Sequence, residues 1–234
     1  MHQAIVIGSN GGIGAACVQQ LKSTQHQVWT LSRSNQASDH HRVFRDDEVS
    51  IHRVAKNLVN SIDDKPVRHL IIATGVLHTE TIKPEKRLED LCSASTQAVF
   101  AANTWLPLAW LQALLPLLQK QADCRVSVLS ARVGSIGDNR LGGWYSYRAS
   151  KAALNMMLQT AAIELARRAK GVKLIAFHPG TTDTRLSEPF QANVPEHKLF
   201  SPSFVAGRLL EVAQQQRLDG TLSFVDWNGQ TVDW

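Results

Sequence analysis

Cysteine is scarce: Cys17, Cys92 and Cys124 are the only three in 234 residues, and they lie far apart. They form no C-x-x-C pair and no even-numbered framework, which argues against a disulfide scaffold or a zinc site and fits a reducing cytoplasm. No metal is expected. Basic runs are missing too. The 25 Lys and Arg against 20 Asp and Glu leave a formal net charge of +5, but the cations are scattered, so a solvated surface is favoured over a nucleic-acid partner. Repeats, low-complexity tracts and long linkers are absent. Residues 1–8 lack the basic and long apolar regions of a signal peptide, so a cytoplasmic location is expected. The most apolar stretch, residues 98–118, is interrupted by Asn103, Pro107, Gln112 and Pro116. Buried helices or a subunit interface therefore fit better than a membrane span, and a homo-oligomer is expected.

What is present is ordinary globular composition, 44% hydrophobic and 19% charged, in a chain long enough for one large domain, taken as residues 1–234. Short runs rich in Val, Ile and Leu fall at 4–7, 28–31, 43–44, 70–73, 126–129, 174–177 and 222–225. They lack strict alternation, as strands covered on both faces do. Helical patterns lie between them, near 12–23, 49–60, 85–118 (at least two helices), 145–169 and 203–216. Alternating strands and helices predict an α/β fold, a doubly wound Rossmann-type parallel sheet with helices on both faces.

The first strand runs into Gly8-Ser9-Asn10-Gly11-Gly12-Ile13-Gly14, and an apolar helix pattern follows at once. Such a junction offers free backbone N–H groups and the positive end of a helix dipole to a pyrophosphate, and glycines admit its close approach. The spacing is G-x-x-x-G-x-G. A tight turn without a ligand is the minority reading. The second strand ends Ser32-Arg33, where the adenosine ribose sits in a dinucleotide fold; an arginine there favours a 2′-phosphate, hence NADP, with a solvated loop cation as the competing reading.

Further on stands Gly142-Gly143-Trp144-Tyr145-Ser146-Tyr147-Arg148-Ala149-Ser150-Lys151. Tyr147 and Lys151, at i and i+4, share one helix face. A free phenol, with a pKa near ~10, carries protons poorly at neutral pH; a neighbouring ammonium is expected to lower that value and suit it to general acid–base work. Tyr145 has Ala149 four residues on and is the weaker candidate.

With its glycine loop, its Tyr147–Lys151 pair and His178-Pro179-Gly180 after the sixth strand, the chain resembles a short-chain dehydrogenase/reductase over nearly its whole length. The stretch from Leu129 to Tyr147 resembles the branch of C-factor-like proteins and single-domain carbonyl reductases. The resemblance implies hydride transfer between NADP (NAD possible) and a small-molecule carbonyl or alcohol. Tyr147 would be the proton donor or acceptor, and Lys151 would tune it and hold the nicotinamide ribose. Ser130 would bind the substrate oxygen and Asn103 would support a proton relay. The remaining cofactor contacts implied are Gly8, Ser9, Asn10, Gly12, Ile13, Gly14, Arg33, Ala73, Gly75, Pro179 and Thr184. From its residues alone, Asn103 reads equally well as a helix irregularity ahead of Pro107.

The chain departs from the family pattern in four places. Ile7 stands where threonine is usual, Ile72-Ala73-Thr74-Gly75 replaces Asn-Asn-Ala-Gly, and the glycine loop is neutral. After the fifth strand, Ser130-Ala131 stands where paired serines are common, so Ser130 or Ser135 supplies the hydroxyl. A dinucleotide-binding signalling protein with little turnover is the alternative function.

Overall fold

The computed structural model describes residues 2–34, 38–62 and 65–234. In chain order these form β1 (Gln3–Ile7), α1 (Gly12–Ser23), β2 (Gln27–Ser32), β3 (His41–Val43), α2 (Glu48–Ser61), β4 (Val67–Ile72), α3 (Ser93–Phe100), α4 (Leu106–Ala113), α5 (Leu115–Leu118), β5 (Cys124–Leu129), α6 (Tyr145–Arg168), β6 (Val172–His178), β7 (Thr181–Thr182), β8 (Leu199–Phe200), α7 (Pro202–Gln215) and β9 (Leu222–Asp226). Seven strands make one parallel sheet in the order β3-β2-β1-β4-β5-β6-β9. Each anticipated strand is there.

Alternation along β1 explains the two layers. Ile5 and Ile7 enter a core with Ile51 and Leu58 of α2, Trp110 of α4 and Leu154 and Leu158 of α6. Ala4 and Val6 point the other way, onto Cys17, Val18 and Leu21 of α1 and Val205 and Leu209 of α7. Both faces are covered, so the strands need no polar positions. The chain winds outward from β1 through β2 to β3, then returns to β4 beside β1. The carboxyl ends of β1 and β4 thus flank the topological switch point, where open α/β sheets bind ligands.

The region read as helical from 85 differs. Helix α3 begins only at Ser93, after a short 3₁₀ turn at Leu88–Asp90. Between α3 and α4, Ala101–Trp105 form a π-turn in which the Leu106 N–H bonds the Ala101 carbonyl five residues back. Pro107 has no N–H to return to Asn103 in ordinary helical register. Near the carboxyl end of the chain, Trp234 packs on Phe224 of β9, and Trp227 lies against Phe200 and Phe204.

Two strand histidines make stability depend on pH. Burial is the main cause that lowers His69 of β4 and His178 of β6 from the usual 6.5 to about 4. Between those values the unfolded chain binds more protons than the folded one, so stability is full above about 6.5 and falls as pH drops towards about 4. Urea unfolding at pH 7 and pH 5 is expected to show a loss of about 2 kcal/mol for each histidine. His69→Gln should remove its share.

Candidate active site

Strand β1 hands the chain to α1 through the glycine loop. Gly8 has φ +82, and a Cβ there would lie 2.8 Å from the Ala73 carbonyl oxygen at the end of β4; a Cβ on Gly14 would lie 2.2 Å from the Gly8 carbonyl oxygen. The loop is therefore pressed against the switch point by residues without side chains. Gly8 N–H and Ser9 N–H both donate to Leu31 O of β2, and Ala73 N–H donates to Ile7 O. Helices α2 and α7 carry their own caps, Asp47 and Ser201. Among the described residues no side chain caps α1. Its first N–H groups and positive dipole end are open to an anion, a cradle that fits a dinucleotide pyrophosphate. Thr184, from the loop after β7, covers this cradle: a Cβ on Gly12 would meet its methyl group at 2.6 Å. Ile13 packs under the loop in the α1–α7 core. The Pro179-Gly180 turn has Gly180 at φ +70, hard against Phe200.

Beyond β2, Asn10 bonds Ser34, and Arg33 forms a 3.3 Å ion pair with Asp46. The Arg33 side chain is 76% exposed, so it is free to swing to an anion.

The π-turn aims Asn103 into the site. Its Oδ1 accepts from Val76 N–H at 2.7 Å, and its Nδ2 donates to Val76 O at 2.8 Å and to Ser150 Oγ at 3.1 Å. Thr104 Oγ1 donates to Ser150 O at 2.8 Å, which pins the turn to α6. Asn103 thus belongs to a helix irregularity ahead of Pro107, and its amide ties the segment at Val76 to Ser150 of α6. Gly75 lies beside it, where a Cβ would be 3.3 Å from Asn103 Oδ1 and 3.7 Å from Lys151 Nζ.

Lys151 Nζ donates to Leu129 O at the end of β5 at 2.9 Å and stands 5.9 Å from the centre of the Tyr147 ring. Burial raises Tyr147 to about 12 and lowers Lys151 to about 8. This corrects the expectation of a phenol acidified by its lysine. Both groups are desolvated, desolvation favours the neutral form of each, and the ammonium is already spent on a carbonyl.

Ser130 is buried, and its Oγ donates to Asn155 Oδ1 at 2.5 Å. Ser135, also buried, accepts from Asp138 N–H at 3.1 Å. Ala131 and Leu77 share an apolar cluster with Tyr147, and Val133, Trp144, Leu186 and Phe190 close around them. Trp144 meets the Tyr147 ring edge-on at 6.1 Å and Phe190 at 5.0 Å.

The family model described as short chain dehydrogenase matches residues 2–195. The chain belongs to the short chain dehydrogenase family. As a member it is an NAD(P)-dependent oxidoreductase. It is similar to the 1-hydroxy-2-glutathionyl-2-methyl-3-butene dehydrogenase of a Rhodococcus species, 35% identical over 132 residues, which are 56% of this chain and only 55% of that protein. To the C-signal of Myxococcus xanthus it is 34% identical, over 63% of this chain and 83% of that one. The benzil reductase ((S)-benzoin forming) of Bacillus cereus is 26% identical over 88% of this chain and 91% of its own length. Among solved structures, the NADPH-bound carbonyl reductase from chicken fatty liver superposes with a TM-score of 0.83 at 24% identity, covering 100% of this chain and 99% of that one. That likeness supports the fold.

Within this dehydrogenase fold, the pocket residue Leu77 escaped sequence reading. It belongs to no motif, and it joins Leu186 and Phe190 beside Tyr147 only because the loops after β4 and β7 close over one strand end.

Proposed function

We propose that the chain, acting as one domain, is an NADP-dependent carbonyl reductase for small apolar ketones or aldehydes. The observation that carries the reading is the convergence of Asn103 and Lys151 on Gly75, with Tyr147 one helical turn before Lys151 on α6 and lined by an apolar wall, next to a glycine loop without a side-chain cap. The names of the benzil reductase and carbonyl reductase relatives point the same way.

When bound, the nicotinamide supplies the hydride. The residues do the rest. The pocket of Leu77, Ala131, Trp144 and Phe190 holds the apolar group of the substrate and excludes water, which strengthens the polar contacts inside. Tyr147 Oη donates its proton to the carbonyl oxygen as charge develops there. The phenolate left behind is reprotonated from the lysine side, Lys151 being the cation one turn along the same helix face. Asn103 holds the loop at Val76 against α6 and keeps that path aligned. Either Ser130 or Ser135 would have to release its present partner to reach the substrate oxygen.

Arg33 supports NADP. Released from Asp46, it has the reach and charge for a 2′-phosphate. Separate titrations with NADPH and NADH test this. Arg33→Ala is expected to weaken NADPH binding about tenfold and leave NADH unchanged. Preference of the wild-type chain for NADH would overturn the assignment. A carbonyl panel including a dicarbonyl and a quinone, followed by NADPH oxidation, then tests the reaction.

The intact Tyr147–Lys151 pair favours turnover over a signalling role. Among the described residues no helix is long and apolar enough to cross a membrane. Exposed Trp105, Met156, Met157 and Ile163 support self-association, and the sparse free thiols support a cytoplasmic setting.

A further inference from the structure

Helix α6 carries Tyr147 in its first turn, yet nothing local caps it. Its N-cap residue is Trp144, whose side chain makes no cap bond. Trp144 is also strained. It sits in the left-handed region at φ 53 and ψ 43, after Gly142 and Gly143 at φ +65 each. A bulky residue persists there only when its surroundings impose it.

The surroundings are Glu85. This carboxylate is only 5% exposed, and it comes from a loop 61 residues upstream of Ser146. Its backbone carbonyl accepts from Trp144 N–H at 2.5 Å. Its Oε2 accepts from Ser146 N–H at 3.2 Å, and its Oε1 accepts from Ser146 Oγ. Ser146 has then given its one hydroxyl proton, so the 2.8 Å contact with Thr96 of α3 is a bond donated by Thr96. One residue thus takes two of the free N–H groups at the start of α6 and places a negative charge at the positive end of a 24-residue helix. It also ties that turn to α3.

We propose that Glu85 is a positioning residue for the reaction: a cap supplied from a distant loop that holds Trp144 left-handed against the substrate pocket and fixes the first turn of α6, and so sets where the Tyr147 hydroxyl stands. The proposal rests on the reductase reading for its kinetic consequence only. Without the carboxylate, the N–H of Ser146 turns to water, Trp144 relaxes towards an ordinary backbone conformation, and the phenol shifts relative to the substrate oxygen. A displacement of the order of ~1 Å is enough to slow a reaction by up to about a hundredfold. The pyrophosphate cradle at the glycine loop lies on a different helix, and Lys151, a turn further along α6, stays anchored to Leu129 O, so NADPH affinity should not change.

Glu85→Ala and Glu85→Gln test the role together, at a temperature where both are folded by circular dichroism. The expected result for Glu85→Ala is a kcat reduced at least about tenfold with NADPH affinity unchanged. Glu85→Gln keeps an oxygen for Ser146 N–H and is expected to recover most of the rate. A wild-type kcat in folded Glu85→Ala, or equal impairment of the two variants, would overturn the proposal. A readout free of turnover separates this from failure of the reductase reading. The chain has two tyrosines, so labelling the hydroxyl-bearing ring carbon with carbon-13 gives two signals, assigned with Tyr145→Phe. Glu85→Ala is expected to shift the Tyr147 signal, and Glu85→Gln to restore it. An unmoved signal would sink the positioning role whether or not any carbonyl is reduced.

Discussion

Tyr147→Phe is expected to lower kcat by about a thousandfold, within the range that a positioned general acid contributes, while the protein folds and binds NADPH as before. Among the described residues no hydrogen-bond partner takes the Tyr147 hydroxyl, so its removal breaks nothing in the folded chain. The ring stays, and with it the contacts to Trp144 and the apolar pocket. The loss should therefore fall on the chemical step alone. Steady-state kinetics, NADPH titration and a melting curve on the same preparation check all three parts. Ser130→Ala makes the contrast. Its hydroxyl is committed to Asn155, and among the described residues Asn155 Nδ2 has no partner. The expected loss is about 1–3 kcal/mol of stability for leaving buried polar atoms unmet, with a much smaller effect on rate than Tyr147→Phe. Activity surviving intact in Tyr147→Phe would remove the phenol from the reaction.

The second large effect is expected at Gly14. A Cβ there would sit 2.2 Å from the Gly8 carbonyl oxygen and 3.0 Å from its carbon. These are backbone atoms of the same loop, so no side chain can give way. Gly14→Ala must push the first turn of α1 off β1, and overpacking of this kind costs about 1–3 kcal/mol. The same shift moves the N–H groups that would hold the pyrophosphate, so dinucleotide affinity should fall further than stability alone explains. Urea unfolding reads the first and cofactor titration the second. Gly207, in α7, has nothing within 4 Å of its would-be Cβ. Gly207→Ala therefore serves as the control and should leave affinity unchanged while raising stability by up to about 1 kcal/mol, as alanine suits a helix interior better than glycine. Wild-type affinity in Gly14→Ala would show that the pyrophosphate does not rest on this turn.

Much of this architecture was legible in the chain, because a buried parallel strand must be apolar on both faces and the helices between must bury one. The runs at 4–7, 28–31, 70–73, 126–129, 174–177 and 222–225 became β1, β2, β4, β5, β6 and β9 with ends displaced by a few residues. The stretch from 85 to 92 misled, since its spacing suits a helix although tertiary contacts draw Glu85 inward. The two-residue strands β7 and β8 left no signal; a pair that short is made by the loop closing, not by propensity.

For the candidate site, local motifs were legible where spacing along one element places the partners. The glycine loop and the Tyr147–Lys151 pair are of that kind, as both partners ride on the same turn or helix. The primary structure therefore determined the layered α/β scaffold, the glycine turn into α1 and the phenol and lysine on one helix face. The fold alone decided the protonation balance, since burial rather than the neighbouring ammonium governs Tyr147. It also decided that the Ser130 hydroxyl is engaged by Asn155 and which distant carboxylate caps α6. The reason is common to all three: desolvation and contacts between residues far apart in the chain arise only when the loops at the carboxyl ends of the strands close over one another, and no spacing rule records that.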